Sequence, residues 1–195
     1  GSAAIDVGSG VFVATVTGVN LTLGSMTVQD GTTNIGTADI VSFSGTANVF
    51  AGVGGDLISG NTDVQGGDFG FSADSVVISL VLATDASGNS YTGAEVVLGS
   101  ASLVGVDGLE FFAGGTLKLN SAVDSAGVDL STRLDWSKAT GFDTDPTNYD
   151  PDNLLADLDI GSAIELQISE GSAAIDVGSG VFVATVTGVN LTLGS

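Results

Sequence analysis

The residues best suited to chemistry lie between positions 143 and 159, where the sequence reads DTDPTNYDPDNLLADLD. Six aspartates form three Asp-x-Asp pairs there, Asp143/Asp145, Asp150/Asp152 and Asp157/Asp159, stepping by seven residues. Hard cations such as Ca²⁺ take about six to eight oxygen ligands from carboxylates, carbonyls and water, and short acidic loops supply them. Counted from Asn148, oxygen-bearing side chains fall at loop positions 1, 3, 5 and 12: Asn148, Asp150, Asp152 and Asp159. These four are the candidate Ca²⁺ ligands, with Asp143, Asp145 and Asp157 as alternates. The loop departs from the EF-hand pattern at Asn153, Ala156 and Asp159, where that pattern has Gly, an oxygen ligand and Glu. A second reading needs no metal. Asp150 caps a short helix with Pro151 at its first position, and Asp145-Pro146 opens a turn. The spacing leaves both readings open.

Beyond that cluster little chemistry is available. With no His and no Cys among 195 residues, triads built on His, the usual zinc sites and haem or iron–sulfur ligation are excluded. Carboxylate pairs of the glycosidase kind arise by chance among 23 acids, and nothing distinguishes one pair. No catalytic residue is assigned, and the chain is expected not to be an enzyme or to carry a cofactor other than Ca²⁺. A net charge of -20 opposes nucleic acid and anionic membrane surfaces, both of which are bound through Lys and Arg. All three basic residues, Lys118, Arg133 and Lys138, fall late in the chain. They either match the acidic surface of a neighbouring copy or balance Asp135 and the 143–159 acids. Trp136 alternates with Leu134 and reads as core, the alternative being a platform for stacking a sugar.

The elements that would position these residues are organised by a repeat. Residues 1–25, GSAAIDVGSGVFVATVTGVNLTLGS, recur unchanged as residues 171–195. Residues 1–170 therefore read as one complete unit and 171–195 as the start of the next, either a window on a longer array or a unit capped by a copy of its own opening. Either way, the opening residues are expected to pair with something that precedes them.

The dominant hydrophobic period is two. It runs through 41–50, 67–73, 109–119 and 163–169, where Ile164, Leu166 and Ile168 oppose Glu165 and Gln167. In 11–29 the apolar parity changes from Leu21 and Leu23 to Met26 and Val28, which predicts a bulge or corner at Gly24-Ser25. Segment 76–83, VVISLVLA, is apolar on both faces and is expected to be a central strand covered on both sides. Turn signals fall at Asp30-Gly31, Gly54-Gly55, Gly66-Gly67, 85–90, Asp107-Gly108 and Gly114-Gly115. Only 121–138 and 151–158 have any helical character. The fold class is all-β: an elongated repetitive sheet, either a β-solenoid or a long rolled antiparallel meander, that continues into the next unit. Tandem β-sandwich beads, divided near residue 64 or within 120–145, are the alternative.

The stretches TANVFAGVGG (46–55), FGFSADSVVISLVLA (69–83) and GSASLVGVDGLEFFAGGTLKLN (99–120) resemble the long tandem repeats of giant secreted or cell-surface proteins of Gram-negative, often aquatic, bacteria. The resemblance covers about two-thirds of the unit and rests on small apolar residues. It implies an extracellular fibre, stalk, surface-layer or matrix element, with no catalytic residues to carry over. The expected partners are neighbouring copies of the same repeat, with no nucleic acid and no membrane insertion. No run of 18 apolar residues and no signal peptide occurs in the chain, so any export signal is expected outside it. The alternative is an adhesin module that binds glycans or cell surfaces with the help of Ca²⁺, and there Trp136 or Tyr149 beside the acidic cluster would be the contact.

Overall fold

Alternating apolar residues between tight turns fold as strands that pair with their chain neighbours. A computed structural model describes residues 1–58, 63–137 and 158–194. It contains β1 (Ala3–Val7), β2 (Phe12–Gln29), β3 (Asn34–Val53), β4 (Asp56–Ile58), β5 (Asp63–Gln65), β6 (Phe69–Asp85), β7 (Ser90–Val104), β8 (Leu109–Val123), β9 (Leu166–Val177) and β10 (Phe182–Leu193). Eight of these form one sheet in the order β1-β2-β3-β6-β7-β8-β9-β10, and β4 and β5 form a separate hairpin. Every pairing is antiparallel. The fold is thus a meander, not a solenoid or a string of sandwiches. The sheet does not close into a barrel: β1 and β10 are its two edges.

The long strands share one irregular level. Register breaks occur between Thr17 and Asn20, Ala47 and Val49, Leu98 and Ala101, Gly114 and Thr116, and Val186 and Val189. Gly18, Ser75, Glu170 and Gly188 take left-handed φ values of 63°, 56°, 53° and 66° at this level. Asparagine side chains secure two of them, Asn48 Oδ1 accepting from Ser75 N at 2.9 Å and Asn190 Oδ1 from Glu170 N at 3.1 Å. The bulges have a packing consequence. In β2, Phe12, Ala14 and Val16 are even-numbered while Leu21 and Leu23 are odd. The extra residue at Gly18 brings both sets to the same side of the sheet.

The bulge expected at Gly24-Ser25 is absent, because Gly24 pairs with Ile40 and Ser25 with Asp39 in unbroken register. The parity change there reflects two apolar faces. Leu21 and Leu23 point to one side, Met26 and Val28 to the other. Gly114-Gly115 is likewise a bulge site inside β8, not a turn. The other turn signals lie between strands as expected. Residues 121–123 complete β8, and 124–137 contain turns and irregular backbone rather than helix.

One side of the sheet is covered. Met26, Val28, Ala38, Ile40, Val81, Ala83, Tyr91 and Ala122 form a core with Leu134, Trp136, Leu158 and Ile160 from the connection after β8. That connection acts as a strap: Asp135 N donates to Gln29 O at 3.1 Å and Trp136 N to Ile160 O at 2.8 Å. Asn120, fully buried on β8, fastens it. Its Nδ2 donates to Leu134 O at 2.8 Å and Gly161 O at 3.2 Å, and its Oδ1 accepts from Trp136 Nε1 at 2.9 Å. The indole lies on Gly93, where an added Cβ would come within 2.6 Å of Trp136 Cε2. At the opposite end, Val13 and Phe50 are buried where the β4–β5 hairpin contacts β2 and β3.

The other side is apolar and open. Leu21, Phe43, Leu80, Ala94, Leu119, Leu166 and Leu193 stand directly opposite one another in a row across seven strands. β6 is central, as its sequence implied, yet it is covered on one face only. Val81 and Ala83 are buried beneath the strap, whereas Leu82 faces solvent. A strand apolar on both faces does not require two covers within one chain, since the sheet holds it through backbone pairing.

Candidate functional site

The acidic cluster is only partly in view. Asn148, Asp150 and Asp152, with the alternates Asp143, Asp145 and Asp157, lie outside the described residues. Asp159 is described, and its carboxylate is 90% exposed and 3.4 Å from Lys118 Nζ. The same ammonium donates to Asp159 O at 2.7 Å and lies 3.7 Å from Glu95 Oε2. Among the described residues no three His, Cys, Asp or Glu side chains gather closely enough to hold a metal ion. Arg133 pairs with Glu165 at 2.9 Å. Basic residues described here thus serve the strap and its neighbours within the chain. Trp136 is 2% exposed, so it is core and offers no surface for a sugar.

Asp30 and Asp85 are among the carboxylates that organise turns. Asp30 Oδ1 accepts from Thr32 N at 2.9 Å, Thr33 N at 2.7 Å and Thr32 Oγ1 at 2.9 Å, and these bonds hold its pKa below the usual carboxylate value. For Asp85, burial pushes upward, but donation from Asn89, Ser87 and Tyr91 outweighs it and the pKa is lowered. Burial, then the charge of Asp85 and the bond to it, raise the pKa of Tyr91. These are hairpin-closing devices.

The arrangement with the clearest capacity for recognition is the pair of sheet edges, because both are built from the repeated 25 residues. β1 pairs with β2 from Ala3↔Val16 to Val7↔Phe12, and β9 pairs with β10 from Ala173↔Val186 to Val177↔Phe182, the same register in both copies. The turn repeats too: Asp6 Oδ1 accepts from Gly10 N at 2.8 Å and Asp176 Oδ1 from Gly180 N at 2.7 Å. The surroundings differ. In the second copy the outer side of 173–177 pairs with Leu109–Ala113 of β8, while the equivalent side of β1 has no strand beside it among the described residues. In the first copy β2 pairs with β3 from Phe12↔Ala51 to Leu23↔Val41, while the equivalent side of β10 is the free edge.

Each edge therefore has a complement whose register is already displayed inside the chain: β8 for β1, and β3 for β10. The apolar row beginning at Leu21 ends at Leu193, the counterpart of Leu23, so one unit advances the register by two residues. An even shift keeps the apolar side on the same face from copy to copy, whereas an odd one would invert it. Sequence reasoning leads to the expectation that the opening residues pair with a neighbour, and β1 is a sheet edge. It did not find the bulge level, although the parity change across Gly18 carries that signal. No family model matches the chain, and no curated protein or solved structure shows significant similarity to it.

Proposed function

We propose that this chain is a structural repeat of an extracellular fibre, stalk or surface-layer protein, in which consecutive units join into one continuous sheet. The observation that carries this reading is the double environment of the repeated hairpin. As β9–β10 it completes β8, and as β1–β2 it completes β3 while leaving open the side that β8 would fill. The function is mechanical. A unit lends backbone donors and acceptors to the next, and the open apolar row passes from Leu21 and Leu23 to their counterparts Leu191 and Leu193 without changing face. The charge of -20 keeps such an array dispersed, and salt moderates its self-repulsion. The resemblance to secreted bacterial repeats supports the extracellular assignment.

The test is a comparison of residues 1–195 with residues 1–170 by thermal unfolding. Loss of 171–195 strips β10 and the distal part of β9 from the sheet and leaves Leu109–Ala113 without a strand on the β9 side. A clear fall in Tm is expected, and equal melting temperatures defeat the proposal. Calcium belongs to this reading through the 143–159 segment. Chelation is expected to lower Tm, and no shift at millimolar Ca²⁺ removes the ion from the account.

A further inference from the structure

The duplicated hairpin has a consequence for separate molecules. We infer that residues 171–195 of one copy of this chain take the place of residues 1–25 in a second copy, pairing β10 of the first with β3 of the second. This rests on the repeat reading above and names the partner, the register and the residues that leave. The edge of β10 carries the same twelve residues that β3 already binds as Phe12–Leu23. The incoming contacts are therefore those seen within the chain: Phe182 opposite Ala51 of the second copy, Val183 opposite Phe50 and Leu193 opposite Val41.

The exchange is close to balanced. The bonds gained by β10 equal those lost by β2 residue for residue, and residues 1–25 regain conformational freedom on release. The incoming hairpin also arrives better supported. The strand beside β10 is β9, twelve residues long and paired to β8, whereas β2 is flanked by the five-residue β1 with a free outer side. Residues 26–29 of the second copy keep their pairing with β3 and lie under its strap, so the joint resembles a continuous β2 with one chain break. Every copy has one hairpin to give and one β3 to receive it, so the product is an open head-to-tail filament, not a closed dimer.

Two substitutions separate this exchange from simple abutment of edges. Val183 is 58% exposed and Val13 is fully buried. Val183→Asp is therefore tolerated in the free molecule and places an unpaired charge in the buried site after exchange. Val13→Asp weakens the resident hairpin and frees the acceptor. The full chain would be concentrated, warmed below its Tm to allow strand release, cooled and sized by sedimentation, with limited proteolysis of residues 1–25. The expected result is concentration-dependent filaments whose first 25 residues are cleaved. Assembly should be lost in Val183→Asp, and mixing Val13→Asp with the unaltered chain should increase it by about tenfold or more. In a chain free of cysteine, mixing Leu193→Cys with Val41→Cys should give a disulfide between molecules. Filaments that keep residues 1–25 protected, or that form equally well with Val183→Asp, would show abutment and overturn the exchange. A chain that remains monomeric also overturns it. In both cases the repeat reading still stands if loss of 171–195 lowers Tm.

Discussion

Phe12–Leu23 and Phe182–Leu193 are the same twelve residues in two places, and their fates differ. Val13 is fully buried beside Phe50, while Val183 is 58% exposed. Thr15 is buried, while Thr185 is exposed. Backbone conformation is nevertheless the same, down to the left-handed Gly18 and Gly188 and the pairing with the preceding strand. The lesson is that local sequence specifies the hairpin and its bulge, and the strand on its other side specifies burial. Leu21 and Leu23 make the point from the opposite direction. They remain 61% and 69% exposed although β3 lies beside them, because strand pairing covers edges and leaves faces alone.

Several substitutions would break or refine this comparison. The largest effect is expected at Asn120, which ties the strap over Met26 and Val28, residues of the first copy that lie just beyond the repeated segment. Asn120→Ala leaves Trp136 Nε1 and Leu134 O without the partner that Asn120 supplies, while Gly161 O keeps Ile164 N, and should cost about 2–4 kcal/mol, with tryptophan fluorescence reporting a loosened strap. Unchanged stability would mean that packing alone holds it. Next, Val13→Ala should destabilise by about 1–2 kcal/mol, and Val183→Ala by less than about 0.5 kcal/mol, in chemical denaturation. Equal effects would show that both copies are buried in solution. Thr15 Oγ1 is buried without a hydrogen-bond partner among the described residues, so Thr15→Val should stabilise the protein by about 1 kcal/mol while Thr185→Val does nothing measurable.

The smallest effect concerns pH. Asp30 closes the turn that brings β3 to the first copy. Its folded pKa is lowered, so its contribution is present above the unfolded value near 3.8 and is lost as pH falls through the folded value. Protection of the Thr32 and Thr33 amides, measured against their intrinsic exchange, should therefore persist at pH 3.8 and be lost only below it, and Asp30→Asn should blunt that dependence. Asp85 behaves with the same sign. Tyr91 behaves oppositely: its raised pKa keeps its contribution intact until alkaline pH exceeds the ordinary tyrosine value.

Much of this was legible in the chain. Period-two alternation marked β3, β6, β8 and β9, and Gly- and Asp-rich turns marked most of the connections. The opening residues were read as needing a neighbour because the chain repeats them. The parity change at Leu23/Met26 was legible but ambiguous, since a bulge and a two-faced strand write the same pattern. Only the register Gly24↔Ile40 decides between them. Trp136, alternating with Leu134, was legible as core, but the strap itself was hidden, because two such short pairs do not reveal what they pack on and their burial depends on Asn120 and Gly93, which are distant in sequence. For the acidic residues, the sequence offered spacing, and the described geometry adds the ion pair of Asp159 with Lys118.

By itself, then, the sequence determined the all-β class and the segment that occurs twice, because composition, alternation and turn residues act over a few positions. Tertiary structure alone decided which strand lies beside which, the common level of the bulges and which copy of Val13 is buried. Those outcomes depend on backbone groups and surfaces contributed by distant segments, and identical residues cannot distinguish two places until a neighbour does so for them.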